Sequence, residues 1–393
     1  MLVVRSAFSH ALFPCLNRQK RATAPSAFQI LHRRNATSAN VPPTSQLDID
    51  LQPAARDASG RFPVTASGPR FRDLAKWWLT AKEETGPRVP TDAAELDRTL
   101  PVLAPDFSVP IAPGHARLTW LGHASVLLEV PVPGRDKPFV VLTDPVFTDR
   151  CSPSQYFGPT RYRPAPVAVT DLPPVDVVLI SHNHYDHLEE VTLAQLHAAQ
   201  PANISYFTPL GNAKWIAKAG IPITSIHEQN WWDVSSTSFP FEVGCVPANH
   251  WSKRGFFDRN VALWGGFVVR GLGGSFYFAG DTATGSIFDA IGYKYGPQSV
   301  SAIPIGAYAP RHLFRDQHCD VAEAIQIHDQ VQSAASVGVH WGTWVLTGEY
   351  YLEPKQQLAK QMAQTSQPES FTTVHHGQSK VVKWVLEDKN KSS

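Results

Sequence analysis

Short apolar runs alternate with polar loops from about residue 114 onward, and their lengths suit strands rather than long helices. Residues 117–122, 125–130 and 139–143 read as consecutive strands, the last ending at Asp144-Pro145. Residues 177–180 form another apolar run that leads straight into a histidine cluster, and 275–278, 302–305 and 336–339 read as further strands. Helical spacing is expected at about 188–199, 211–219, 286–292 and 320–333. Mixed strands with interspersed helices predict an α/β protein in which sheets are sandwiched between helices.

Upstream, the pattern weakens. Residues 41–70 are rich in Pro, Ser, Gly and isolated charges, which suits a linker or an extended arm with no need of regular structure. Residues 71–82 place Phe71, Leu74, Trp78 and Leu79 near one helical face. That segment reads either as a helix packed on the body or as an interfacial helix inserting Trp77 and Trp78 into lipid headgroups.

Charge changes the picture at the N-terminus. Residues 1–47 hold six basic residues and no acidic one, with Ser, Thr and Ala among them; residues 1–40 have the composition of a mitochondrial transit peptide, or else of a basic tail. The rest of the chain carries 29 basic against 34 acidic residues, so it offers no strong general field for nucleic acid. No run approaches the ~18 apolar residues of a membrane-spanning helix, so contact with a membrane would be peripheral. The four cysteines form no C-x-x-C pair and read as free thiols in a reducing compartment.

The chemistry concentrates in Ser181-His-Asn-His-Tyr-Asp-His187, where three imidazoles and a carboxylate follow an apolar strand. Burying them together without a cation would leave polar groups unpaired at several kcal/mol each. Imidazole nitrogen and carboxylate oxygen both suit zinc. Three further strand ends terminate in His250, Asp281 and His340. We read His182, His184 and His250 as holding one metal and Asp186, His187 and His340 as holding another, with Asp281 bridging. Asp144 is placed either to orient a ligand histidine or simply to form its turn. His123, between Gly122 and Ala124, is open to a packing role or a functional one.

With H-x-H-x-D-H at His182 to His187 and later ligands in the order His, Asp, His, the chain resembles the metallo-β-lactamase superfamily. Within it, the chain is more similar to the N-acyl-phosphatidylethanolamine-hydrolysing phospholipase D family. The similarity is carried by Thr119-Trp-Leu-Gly-His-Ala-Ser125, Thr143-Asp-Pro-Val-Phe147, Ser152-Pro-Ser-Gln-Tyr156, Asn249-His-Trp251, Ala302-Ile-Pro-Ile-Gly-Ala-Tyr308, His340-Trp-Gly-Thr343 and Tyr351-Leu-Glu-Pro354. The resemblance implies an αββα sandwich over residues 71–385, two zinc ions activating a hydroxide, and cleavage of N-acyl-phosphatidylethanolamine to phosphatidic acid and an N-acylethanolamine. It also implies catalytic roles for Asp186, Asp281 and His318, weaker substrate contacts from Gln155, Tyr156 and Tyr308, and a homodimer. His318 precedes Asp320-Val-Ala-Glu323, an N-cap with its reciprocal glutamate, so its loop should be held by that helix. Two other readings share the metal ligands or the lipid: a hydrolase of the same superfamily acting on a lactone, thioester or small phosphodiester, and a noncatalytic lipid-binding protein.

Overall fold

A computed structural model of the chain describes residues 44–64, 72–73, 76–77, 89–201 and 204–385. The expected leader, and Phe71, Leu74, Trp78 and Leu79 of the Trp-rich segment, lie outside the described residues.

Period-two alternation in the first strands divides their side chains between two layers. β1 (His115–Gly122), β2 (Ser125–Val130) and β3 (Phe139–Thr143) form an antiparallel meander. Val126, Leu128 and Val141 point into one apolar core, while Leu127, Val140 and Leu142 point into another on the opposite face. The sheet continues in parallel through β4 (Val177–Leu179), β5 (Ser205–Pro209) and β6 (Ile226–Gln229), and is completed beside β1 by β14 (Ser379–Lys383).

The second sheet also has seven strands, in the order β13 (Phe371–Thr372), β12 (Ser336–Val339), β11 (Val300–Pro304), β10 (Gly274–Phe278), β9 (Gly266–Gly271), β8 (Phe241–Val246) and β7 (Val234–Ser236). Strands β10 to β13 are parallel, and β8 runs with them because β9 is antiparallel to both its neighbours. The sheets meet face to face, with Phe139 stacked on Phe241 at 4.2 Å between ring centroids.

The described helices are α1 (Thr44–Asp50), α2 (Ala93–Thr99), α3 (Glu190–Ala199), α4 (Ala213–Lys218), α5 (Ile287–Tyr295), α6 (Arg311–Phe314), α7 (Val321–Gln330) and α8 (Glu353–Met362). α3 and α4 cover the outer face of the first sheet through Leu193, Leu196 and Ile216. α5, α7 and α8 cover the second through Ile291, Ile327 and Leu358. The expected sandwich of two mixed sheets flanked by helices is therefore the fold observed.

Residues 44–50 are helical, and of the two readings of the segment before the body, linker or extended arm, residues 51–64 follow the second, running over the body as a docked strap. Two buried apolar side chains, Leu47 and Phe62, anchor it. Its backbone is satisfied by side chains from the body: Asn230 accepts from Ala54 N–H and donates to Ala54 C=O, and Trp232 Nε1 donates to Asp50 C=O. The cysteines Cys151, Cys245 and Cys319 are free and buried. No helix among the described residues is long and apolar enough to cross a membrane.

Candidate metal centre

Parallel strands end side by side, so the residues that follow them collect along one edge of the sandwich. β3 delivers Asp144, β4 delivers residues 181–187, β8 delivers His250, β10 delivers Asp281 and β12 delivers His340. His123, Asp144 and His340 all sit in these turns with positive φ (+50°, +34° and +62°), a backbone conformation that costs a non-glycine residue about 1–3 kcal/mol. The chain holds that strain because each turn aims a ring or carboxylate at a common point.

All seven sequence-predicted ligands are brought together. His184 Nδ1 lies 2.8 Å from His182 Nε2 and 3.3 Å from His250 Nε2. Beside this triad, His187 Nε2 lies 3.2 Å from His340 Nε2, with Asp186 Oδ2 at 3.4 Å and 3.5 Å from the two nitrogens. Asp281 stands between the groups, with Oδ1 at 3.0 Å from His340 Nε2, and Oδ2 at 3.1 Å from His187, 3.7 Å from His250 and 3.9 Å from His182. Donor atoms around a tetrahedral zinc at ~2.0–2.1 Å are about 3.3 Å apart, so both spacings fit one ion per group with a shared carboxylate.

Surrounding hydrogen bonds fix which nitrogen each ring presents. His250 Nδ1 is 3.0 Å from the Gln317 carbonyl, which can only accept, so Nδ1 carries the proton and Nε2 is bare. His187 Nδ1 donates in the same way to Asp144 Oδ2 at 2.6 Å. Ser181 Oγ donates its one proton to Asp144 Oδ2, so it accepts from His182 Nδ1 at 2.9 Å. His184 alone turns Nδ1 inward, leaving Nε2 buried without a hydrogen-bond partner. Bare nitrogens facing one another repel unless a cation lies between them, which is the chemistry of a metal site.

The electrostatics agree. Burial pushes the carboxyls of Asp186 and Asp281 upward, but His187 and the other imidazoles outweigh it and hold both well below the usual carboxylate range. Burial lowers His340, yet Asp281 and Asp186 reverse the balance and lift it to about 9. Burial takes His184 down to about 3 and His250 to about 4. The two carboxylates thus demand positive charge among rings that are mostly neutral.

His123, which the sequence left open, belongs to this site. Its Nε2 is 3.0 Å from Asp186 Oδ2, its ring lies 4.0 Å from that of His340, and its C=O accepts from His340 N–H at 2.9 Å. It shares the signal of the other sites, a polar residue just past a strand, but a lone histidine in a tight turn does not announce its partner. Gln317, Lys253 and Arg259 carry no such signal and were not anticipated.

A cleft of about 290 Å³ opens over the centre, with Asp281 and His340 in its floor and Trp251, Phe314 and Leu346 on its walls. Lys253 and Arg259 add two cations to its lining. His318 faces this cleft. Its Nδ1 is buried without a hydrogen-bond partner, 4.0 Å from Asp281 Oδ2. The expected capping box is present: Asp320 accepts from Glu323 N–H, Glu323 returns the bond, and Arg311 joins Glu323 to the His318 carbonyl.

The other expected substrate residues are not brought to the cleft. Gln155 closes its own loop by bonding Arg150 N–H and C=O. Tyr156 is 86% exposed on that loop, while Tyr308 is buried and donates to Glu353. Trp77 packs edge-on against Phe314 of the cleft wall, at 5.6 Å between ring centroids.

Comparison with known proteins accords with this geometry. The β-lactamase superfamily domain matches residues 140–341, the span that carries all seven ligands. An N-acyl-phosphatidylethanolamine-hydrolyzing phospholipase D of Caenorhabditis elegans is 38% identical over 313 residues, covering 76% of this chain and 85% of its own. The mitochondrial N-acyl-phosphatidylethanolamine-hydrolyzing phospholipase D of Saccharomyces cerevisiae is 32% identical over 231 residues, 56% of this chain and 47% of its own length. Among solved structures, an isothiocyanate hydrolase from Delia radicum gut bacteria shares the fold, with a TM-score of 0.51 at 18% identity over 68% of this chain and all of that one. The chain belongs to the N-acyl-phosphatidylethanolamine-hydrolysing phospholipase D family within the β-lactamase superfamily.

Proposed function

We propose that the protein is a zinc-dependent phospholipase D that hydrolyses N-acyl-phosphatidylethanolamine to phosphatidic acid and an N-acylethanolamine. The observation that carries this reading is the convergence of seven nitrogen and carboxylate ligands beneath a cleft walled by Trp251, Phe314 and Leu346. His182, His184 and His250 would hold one zinc, Asp186, His187 and His340 the other, and Asp281 both. Two zinc ions bound there would supply Lewis acidity that activates water and stabilises charge on a phosphodiester.

In the hydrolysis, the oxygen of water bonds to phosphorus, the bond from phosphorus to the ethanolamine oxygen breaks, and that oxygen takes a proton. Asp186 and Asp281 orient the reacting groups through their fixed carboxylates. His318, which lines the cleft and is kept neutral because burial holds its pKa well below that of a free imidazole, would donate a hydrogen bond to a phosphate or leaving-group oxygen. The apolar walls accept acyl chain, and Lys253 and Arg259 complement phosphate.

The test is to incubate zinc-quantified protein with N-acyl-phosphatidylethanolamine in mixed micelles beside an Asp281→Asn variant and identify products by mass spectrometry. Phosphatidic acid and N-acylethanolamine from the parent alone support the reading. Two bound zinc ions with neither product would point instead to a lactone, thioester or small phosphodiester. The acid-free leader and the mitochondrial relative support delivery to mitochondria. A fusion of residues 1–47 to a fluorescent protein that stays cytosolic would exclude that address.

A further inference from the structure

The loop that follows His250 and Trp251 carries the two most exposed large apolar side chains among the described residues, Phe256 at 93% and Phe257 at 90%. Fully exposed neighbouring aromatics at a loop tip are a liability in water unless something covers them. Cations surround them. Lys253 and Arg259 are exposed on the same loop, Arg259 lying over the Trp251 ring at 4.6 Å, while the nearby carboxylate of Asp258 is spent on the Arg254 and Gly255 N–H groups.

The loop is also braced. Arg61 of the docked arm donates to the Phe257 carbonyl at 2.8 Å. Arg254 donates to the carbonyls of Asn183 and Leu188 and pairs with Glu190, and Tyr185 donates to the Arg254 carbonyl. The tip is therefore bolted to the segment that supplies His182 to His187. Lys253 and Arg259 line the cleft as well, so the cleft mouth and the aromatic tip share one rim.

We infer that this rim is a membrane-docking surface that takes an anionic bilayer. Phe256 and Phe257 enter the interface, Lys253 and Arg259 meet lipid phosphates, and the braced loop sets the metal centre at a fixed height above the headgroups. A hydrophobic tip ringed by cations matches the interfacial region of such a bilayer, apolar below and negatively charged above. The inference rests on the lipid-hydrolase reading for its purpose, not for its geometry.

The test uses the purified full chain and sedimentation with vesicles of phosphatidylcholine, with or without phosphatidylglycerol. The parent should bind the mixed vesicles, more weakly as salt rises, and bind the neutral ones less. Phe256→Ser/Phe257→Ser should bind at least about ten-fold more weakly, the loss expected when inserted aromatic rings are withdrawn, with parental zinc content and melting. Unchanged vesicle binding by this folded variant overturns the inference, as does equal binding of the parent to neutral vesicles. If the variant turns a dimer into a monomer with vesicle binding intact, the patch belongs to a second copy of the chain, and the inference falls. A parent that never cleaves N-acyl-phosphatidylethanolamine while the variant loses vesicle binding removes the proposed substrate and leaves the docking surface standing.

Discussion

Asp144 Oδ2 accepts the Nδ1 proton of His187 at 2.6 Å, with both side chains fully buried, while Oδ1 accepts the Ser181 N–H at 2.7 Å. One carboxylate thus sets the tautomer of His187 and, through Ser181 Oγ, that of His182, so it acts on a ligand of each proposed ion. In Asp144→Asn, the amide must turn its NH₂ toward a donor in either orientation. Zinc affinity should fall by about 10- to 100-fold, most visibly when zinc is titrated under competition with a chelator. Parental affinity in the folded variant would leave Asp144 as a turn residue only.

His318 should separate binding from turnover. Its loop is held by the Asp320–Glu323 capping box and by Arg311, so shortening the side chain to alanine leaves the loop in place. His318→Ala should keep two zinc ions per chain by elemental analysis and lower kcat about 10²- to 10³-fold, the usual effect of removing one hydrogen-bond donor aimed at developing charge. A change confined to KM would limit its role to substrate binding.

The candidate ligands were legible because the apolar runs that supply them end in a histidine or aspartate, and the ends of these strands lie together along one edge. This pattern reaches Asp281 and His340 through runs that need no knowledge of tertiary contact. It fails for His123, whose importance lies in a partner 63 residues away, and although it reaches His184 it cannot say which nitrogen that ring turns inward, which is decided by its neighbours' rotamers. β9 escapes pattern reading because Arg270 and two terminal glycines dilute it, although Gly271 is demanded by the Pro240 carbonyl, which would lie 2.2 Å from any Cβ there. An extended arm is one of the two readings its composition allows, but composition records Pro and Ser and not the reception Asn230 and Trp232 give to its backbone, so the docking itself is invisible in the sequence. Gln155 and Tyr156 sit in a family-like stretch, yet the stretch folds into a self-closed surface loop.

Acid should destabilise the body independently of the metal centre. Burial drives His376 down to about 3, where it packs on Trp120 at 4.2 Å between ring centroids. The unfolded chain takes up a proton near pH 6.5 and the folded one does not until far lower. Stability is therefore complete above that value and drains away as pH falls toward 3, at up to about 1.4 kcal/mol per pH unit for this one ring. Chemical denaturation of zinc-saturated protein between pH 7 and pH 5 should show the slope, and His376→Asn should flatten it by that amount. Identical slopes would mean that the ring is not buried neutral.

The strap formed by residues 51–64 should be severable from global stability. Phe62 is 3% exposed and packs with Ala248, Leu263 and Trp264, where Ala248 lies two residues before His250. Phe62→Ala removes a buried ring, a change worth about 3–5 kcal/mol when the surroundings cannot collapse. The strap, however, can lift away as a unit, so the loss is capped by its own docking energy and shows first as local opening. Limited proteolysis should cleave the variant within 51–64 under conditions where the parent resists, while the melting of the remaining body shifts little. Release of the strap also withdraws Arg61 from the Phe257 carbonyl, so vesicle binding should weaken in the same variant. Protease resistance equal to the parent's would show that Asn230, Trp232 and Leu47 hold the strap without Phe62.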